Sequence, residues 1–368
     1  MSVVKNRTLI KRLPQNVEFR NDITTYGADN LYPQVSEEIA LRSPITKSSI
    51  AALGKFLGGG GFSENGDLVV NRLDQTLNDI LRFIRTDKAT FNGWSLFFNI
   101  NEIGGITEIL PVKFKNVRYG LPDDFGRHKD VKVNCNWEQD YNKVRSKKEV
   151  IQEFPLWNRR SDKDFKEVED FSGYMFYWTP QPDEYPLSTF DSVMDSAQSN
   201  GEIQVFELSR IMNGFLGTSI FKHRGKIKGK KEKEQIINDL YNLTGVENAG
   251  STMLLEVPID FEGQIIENVP ANNDDRLFEL TNQNSEARII SNFAIPPSLL
   301  GIQPSGGMFN QEQMKDSYTF FNTSTREERM SISDSFNKFL LHWHTGPISV
   351  GEIIENEFEI KGEDLIKE

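Results

Sequence analysis

Cysteine, histidine, net positive charge and long apolar runs are what this sequence has little of. One cysteine, Cys135, and four histidines, His128, His223, His342 and His344, occur in 368 residues. A single cysteine excludes an intrachain disulfide framework and a cysteine-rich zinc site. It stands in VKVNCNW, whose alternation is that of a strand, so Cys135 is expected to be a small packing residue rather than a nucleophile. His342 and His344 are two apart on an expected helix and point about 200° apart, so they do not chelate one metal together. A metalloprotease helix needs i, i+4 histidines and a glutamate. No apolar run approaches the ~20 residues of a membrane helix, so no membrane partner is expected. The first fifteen residues carry basic side chains but neither an apolar core nor a small-residue cleavage site, unlike a secretory signal. A reducing cytoplasm fits this set of absences. Lys and Arg total 42 against 54 Asp and Glu, a net charge of −12. Such a chain is not expected to grip nucleic acid as a whole through its phosphates.

Nucleotide and nucleophile motifs are missing too. Gly54-Lys55-Phe56 lacks the upstream glycine and the hydroxyl of a phosphate loop. Gly58 to Gly61 lack the strand–GxGxxG–helix setting of a dinucleotide site and read as a helix stop. No GxSxG elbow occurs. No cofactor and no catalytic residue is expected. Asp274-Asp275 is an acidic pair that a metal-dependent nuclease could use, but aspartates at that point also suit the cap and dipole of a helix N-terminus.

What is present suits a packed α+β protein, with 26 Phe and 5 Trp to build a core. Residues 1–35 read as an extended arm. SEEIALR and SPITKSSIAALGKFL read as helices, the second capped by Ser43 with Pro44 at its first position. Ile50, Leu53 and Leu57 share one of its faces. LDQTLNDILRFIRTD puts Leu73, Leu77, Ile80, Leu81 and Ile84 on one stripe. WSLFFNI and GITEILPVKF form an expected hairpin around NEIGG, and VKVNCNW, EVIQEF and YMFYW are further strands. TPQPDEYP reads as a break. A helical stretch follows from Ser188 to about Leu216, with Asn200-Gly201 as a candidate interruption.

A basic run, Lys222 to Lys233, has no interleaved aromatics for base stacking. It reads as a solvated loop, or as a contact with DNA or a neighbouring subunit. A short helix is expected at 236–243. STMLLEV and QIIENV, separated by PIDFEG, read as a β-hairpin. Helix resumes from Asp274 to Phe293. AIPPSLLGIQPSGGMFN cannot be regular helix, since tandem prolines remove two donors and restrict the residue before them. From Asn310 one long helix is expected to about Trp343, ended by Gly346-Pro347. The tail NEFEIKGEDLIKE reads as a charged strand or loose end.

The segment from Gly245 onward resembles the HK97-like portal proteins of tailed phages. The resemblance rests on Arg288, Ile289, Ile290, Phe293, Ile295, Pro296, Pro297, Leu299, Leu300 and Gly301, followed by Asn310, Glu312 and Gln313. Weaker likenesses lie in GWSLFFNINEIGGITEILPVKFKNVRYG, PDEYPLSTFDSVMDSA and FLGTSIFK. Pro186 stands where that family has a glycine. The resemblance implies an α+β portal-type fold with an arm and wing (1–228), a first stem helix (229–243), a clip (244–272) and a second stem helix (273–295). A tunnel loop (296–310), a long wing helix (311–345) and a tail or minimal crown (346–368) would follow.

It further implies a homo-oligomeric, twelve-fold ring at one capsid vertex of a virion, assembled in the host cytoplasm. Double-stranded DNA would pass through it. The terminase large subunit, head-completion or adaptor proteins and the major capsid protein would be partners. Gln303, Pro304, Ser305, Gly306, Gly307, Met308, Phe309 and Asn310 would face the DNA, with Met308 or Phe309 approaching the duplex. Residues 246–300 hold nine acids against two bases, a net of −7. An acidic channel lining would avoid salt-sensitive wells on the phosphates. The same acids facing outward would simply solubilise a helix, and the sequence leaves both open. A DNA-cleaving enzyme using Asp274 and Asp275, or a capsid or tail adaptor, would be the alternatives.

Overall fold

The computed structural model describes residues 19–20, 22–137, 151–157, 173–212, 218–225, 229, 234–235, 252–260, 262, 264, 266–269, 275–302 and 311–358. The chain divides into two compact units, Met1–Ala197 with Arg288–Glu368, and Gln198–Ala287.

The first unit opens with two short paired strands, β1 (Phe19–Arg20) and β2 (Ile23–Thr24). Helices α1 (Tyr32–Arg42) and α2 (Pro44–Gly58) follow. Ser43 caps α2 as its sequence position predicts, accepting from the Thr46 amide at 3.3 Å, with Pro44 in the first turn. A proline there sacrifices no hydrogen bond, because that amide would have no partner in the helix. Helix α3 (Leu77–Phe91) starts with a reciprocal capping box between Thr76 and Asp79 and buries Leu77, Ile80, Leu81 and Ile84. Leu73 does not join that stripe. The cap at Thr76 starts the helix four residues later than the periodicity implied, and Leu73 is 71% exposed in the preceding turn.

Strands β3 (Trp94–Ile100) and β4 (Ile106–Val112) form the expected antiparallel hairpin. After them come β5 (Val117–Tyr119), β6 (Asp130–Val133), β7 (Gln152–Pro155) and β8 (Tyr174–Trp178). They build two three-stranded sheets, ordered β4-β3-β8 and β5-β6-β7. As a central strand, β3 is buried on both faces from Trp94 to Phe98 apart from a half-exposed Phe97. The strand containing VKV ends at Val133, so Cys135 lies beyond it and is exposed rather than packed.

The segment expected to be a break, residues 179–186, has no regular structure and is largely exposed, but Tyr185 and Pro186 pin its end to the core of this unit. Tyr185 stacks on Tyr26 at 4.1 Å between ring centres, and its hydroxyl donates to the Thr24 carbonyl while accepting from the Tyr119 amide, both at 2.7 Å. The Tyr26 hydroxyl donates to the Pro186 carbonyl. Beside this cluster Arg118 is fully buried, donating to Asn30 Oδ1 and O, Gln34 Oε1 and the carbonyls of Lys115 and Val117. Those acceptors offset the loss of hydration that a buried charge suffers.

Helix α4 (Met194–Met212) follows a 3₁₀ turn at Asp191–Val193 and runs through Asn200-Gly201 without interruption. In the second unit, β9 (Thr218–Arg224) is the middle strand of a sheet ordered β10-β9-β11, with β10 at Thr252–Val257 and β11 at Ile266–Val269. The expected hairpin of the last two strands is therefore not formed. β9 lies between them, parallel to β10 and antiparallel to β11. Helix α5 (Asp275–Phe293) matches the expected helix to within a residue. The helix expected at 236–243 lies outside the described residues.

Back in the first unit, the single long helix expected from 311 is divided into α6 (Gln311–Ser324) and α7 (Arg326–Leu340). The divider is Thr325. Buried Arg329 donates to Thr325 Oγ1 at 2.7 Å and to the Asn322 carbonyl at 3.0 Å, the acceptor that the amide four residues on would take in an unbroken helix. Burial lowers the Arg329 pKa, and Glu355, at 2.8 Å, counters that. Helix α7 buries Ile332, Phe336, Phe339 and Leu340 against the β3 side of the sheet, Phe339 lying 4.9 Å from Phe98. His342 and His344 lie past its end rather than on it.

The tail is not loose over its described part. Ile354 exchanges backbone bonds with Gly60 and Gly61, and Asn356 Nδ2 donates to the Lys55 carbonyl. Gly59 permits this strap. Its φ is +47°, and a Cβ there would meet the Ile354 carbonyl oxygen at 2.0 Å. Among the described residues no helix is long and apolar enough to cross a membrane.

Candidate functional site

The passage singled out by the sequence, Arg288 to Gly301, falls wholly in the first unit. Ile289, Phe293 and Ile295 enter the main core, 0%, 7% and 3% exposed. Their spacing follows from the end of α5, which turns over at Ala294. That residue takes a φ of +50°, a left-handed conformation costing a non-glycine residue about 1 kcal/mol. The core positions on either side hold it there. Pro296 then precedes a 3₁₀ turn, Pro297–Leu300, whose Leu299 and Leu300 pack against the core. Gly301 closes the turn with a φ of +74° and open space where a Cβ would stand, so backbone conformation rather than crowding favours glycine. Ile290 and Pro296 are half-buried, and Pro297 and Gly301 exposed.

Polar side chains tie this junction down. Asn292 Nδ2 donates to the Thr189 carbonyl at 2.9 Å and its Oδ1 accepts from Ser192 Oγ at 2.5 Å. Thr189 is itself anchored to the end of α3 through the Ala89 carbonyl at 2.6 Å. Ser298 Oγ donates to Ser317 Oγ on α6 at 2.7 Å. Helix α6 is held to α2 by Phe56, whose ring lies 5.3 Å from Tyr318 and 4.7 Å from Phe321. Both ends of the eight-residue stretch 303–310 thus leave from anchored structure, at Ile302 and at Gln311. That stretch, with Gln303, Pro304, Ser305, Gly306, Gly307, Met308, Phe309 and Asn310, lies outside the described residues. Nothing local to Thr189 or Ser317 signals their roles, because their partners are about 100 and 19 residues away.

In the second unit, α4 and α5 run antiparallel. Asn200 Nδ2 donates to Asn282 Oδ1 at 2.8 Å, Asn282 Nδ2 to Glu286 Oε1 at 3.0 Å, and Phe206 stacks on Phe278 at 4.8 Å. Asp275 is the first residue of α5, while Asp274 lies outside the described residues. Of the basic run, Lys222 and Arg224 belong to β9, and Lys226, Lys228, Lys230, Lys231 and Lys233 lie outside the described residues. Among the described residues no group of three or more His, Cys, Asp or Glu is placed to hold a metal ion.

No protein-family model matches the sequence, and no curated protein does. Solved structures do resemble the fold. A chain in the virion of a native gene transfer agent particle superposes with a TM-score of 0.54 at 13% identity, over 86% of this chain and 83% of that one. A chain from the neck of the native particle, computed with C12 symmetry, gives 0.52 at 13% identity over 87% and 84%. An HK97-family phage portal protein from Corynebacterium diphtheriae gives 0.44 at 10% identity, over 85% and 95%. At such identities the likeness speaks to architecture alone: the α+β fold of this chain is similar to that of a chain in the neck of a gene transfer agent particle.

Proposed function

We propose that this chain is a portal subunit, one copy of a ring at a single capsid vertex through which double-stranded DNA enters and leaves. The reading rests on one observation, the fold shared over most of both chains with a neck protein of a gene transfer agent particle. The first unit takes the place of the wing. Helices α4 and α5 take the place of the paired stem helices, because α4 is the described helix that runs antiparallel to α5. The sheet of β9, β10 and β11 takes the place of the clip. The loop 303–310, held at both ends, faces the DNA in the channel.

In this role the chain needs no catalytic residue. It works by shape and charge: residues 246–300 hold nine acids against two bases, and an acidic lining would not hold a moving duplex by its phosphates. The terminase large subunit, head-completion or adaptor proteins and the major capsid protein are the partners such a ring would meet, and the virion is where it would reside. Electron microscopy and native mass measurement of the purified full-length chain test the reading. A closed ring with a central hole is expected, twelve-fold by analogy with the neck protein. A monomer at high concentration, with metal-dependent DNA cleavage lost in Asp275→Ala, would overturn it in favour of an enzyme.

A further inference from the structure

The break between α6 and α7 is carried by one residue. Thr325 has φ −96° and ψ 3°, so its ψ lies roughly 45° from the helical value. The helical bonds on either side survive. The Thr325 amide donates to the Phe321 carbonyl and the Arg329 amide to the Thr325 carbonyl, both at 3.1 Å. One carbonyl changes partner. That of Asn322 would accept from the Arg326 amide in a continuous helix, and instead accepts from the Arg329 guanidinium at 3.0 Å. A side chain inserted into the backbone ladder in this way bends a helix. The bent and continuous forms thus differ by one soft torsion and one exchange of donors. The bent form also leaves Asn322 Oδ1 buried without a hydrogen-bond partner, which weighs against it. Something outside the two helices has to favour the bend.

The strap 350–358 spans it. Running antiparallel to the helices, it touches each part in turn. The Val350 amide donates to Asn337 Oδ1 on α7 at 2.7 Å. Glu355 accepts from Arg329 at 2.8 Å. The Asn356 carbonyl accepts from Asn322 Nδ2 at 2.8 Å, and the Phe358 ring lies 5.4 Å from that of Tyr318 on α6. Ile354 and Asn356 fasten the strap itself to α2 and the turn that follows it. Its two contacts at the joint fall on Arg329 and Asn322, the residues that exchange partners there.

We propose that this strap is a latch: it holds α6 at an angle to α7, and its release lets the two join into one continuous helix. The Glu355 side chain is 55% exposed, so solvent or a partner reaches the latch from outside. Helix α6 begins at Gln311, where the chain returns from 303–310, so the latch sets the position of one end of that stretch. The first half of α6 is free to swing, since from Gln311 to Asp316 only Met314 is half-buried and the rest are exposed. Its ties to Ser298 and Phe56 begin at Ser317 and lie towards the pivot. The inference concerns the first unit alone and does not rest on the ring.

Spin labels read the angle. In a Cys135→Ser background, Asp316→Cys and Lys338→Cys place nitroxides at exposed positions on α6 and α7. A continuous helix would separate the two backbone positions by about 33 Å, and a bent one by less. With the strap unmodified the shorter distance is expected. Glu355→Ala is expected to lengthen it by several ångströms. Glu355→Gln keeps an acceptor but not the charge; it is expected to lengthen the distance by less, and stays folded should Glu355→Ala not. Arg329→Met returns the Asn322 carbonyl to the Arg326 amide and is expected to lengthen the distance too, with slower hydrogen exchange at that amide. The near-ultraviolet signal of the aromatic core reports folding in each variant. A distance unchanged in the folded glutamate variants would overturn the proposal, whatever Arg329→Met does. An unchanged distance in Arg329→Met would overturn it equally, because the exchange at the Asn322 carbonyl would then not govern the bend.

Discussion

The two units of this chain differ in how their described apolar side chains meet water. The first buries them internally. Trp94, Phe98, Phe114, Phe190, Phe336 and Phe339 are all 0% exposed, drawn from strands and helices spread over most of the sequence. On the described helix pair of the second, Val205, Leu208 and Leu280 are exposed. The difference teaches that one chain can join a unit with a deep aromatic core to a helix pair held by few side-chain contacts, Asn200 with Asn282 and Phe206 with Phe278.

The largest expected effect comes from the interior of the first unit. Phe336→Ala removes a ring that touches Phe62, Trp94 and Phe339 and is expected to cost roughly 3–5 kcal/mol in denaturant unfolding. A loss below about 1 kcal/mol would mean this core is not the one that holds the unit together. Arg118→Met comes next. It keeps the bulk but strands the acceptors on Asn30, Gln34, Lys115 and Val117, for an expected loss of about 3 kcal/mol.

Asp87 sharpens the comparison with a pH dependence. Burial pushes its pKa up to about 7, only partly offset by the hydrogen bond it accepts from the Phe114 amide. The unfolded carboxyl ionises near about 3.9. The folded form therefore holds a proton that the unfolded form releases, so stability falls as pH rises from about 4 to about 7 and then levels. Asp87→Asn is expected to flatten that fall by up to a few kcal/mol, read from urea midpoints across the range. A slope unchanged by the substitution would place the titration elsewhere.

Gly301→Ala is smaller, about 1 kcal/mol, because the new methyl meets no neighbour and only the φ of +74° resists it. The smallest effect belongs to the second unit. Phe206→Ala breaks one stacked pair on a side chain already 41% exposed and is expected to cost the isolated chain under about 1.5 kcal/mol. Should it cost as much as Phe336→Ala, the contrast between the units would collapse.

Local signals in the sequence were read where the physics is local. The Ser43-Pro44 start of α2, the β3–β4 hairpin and the extent of α5 follow from capping, turn chemistry and period. The same rules went wrong where a distant partner decides. Residues 252–269 carry two strand patterns around a short connection, and a pattern says that a strand forms but not beside what. β9, more than twenty-five residues upstream of β10, took the place between them. Periodicity likewise carried the last helix through Thr325, because the guanidinium of Arg329 that breaks it carries no period. Leu73 fits its stripe by number, yet the capping box at Thr76 excludes it from the helix. For the candidate site, the end of regular helix at Pro296-Pro297 was legible, while the burial of Phe293 and Ile295 and the anchors at Thr189 and Ser317 were not.

By itself the sequence determined the Ser43 cap, the proline-broken junction and the acidic balance, since each depends on neighbours a few residues away or on composition. Only the tertiary structure decided that Tyr185 and Pro186 pin residues 179–186 to the core, that Arg118 can be buried, and that Val205, Leu208 and Leu280 stay exposed. Those outcomes depend on which surfaces meet, and contact across long sequence separations is a property of packing that no local pattern encodes.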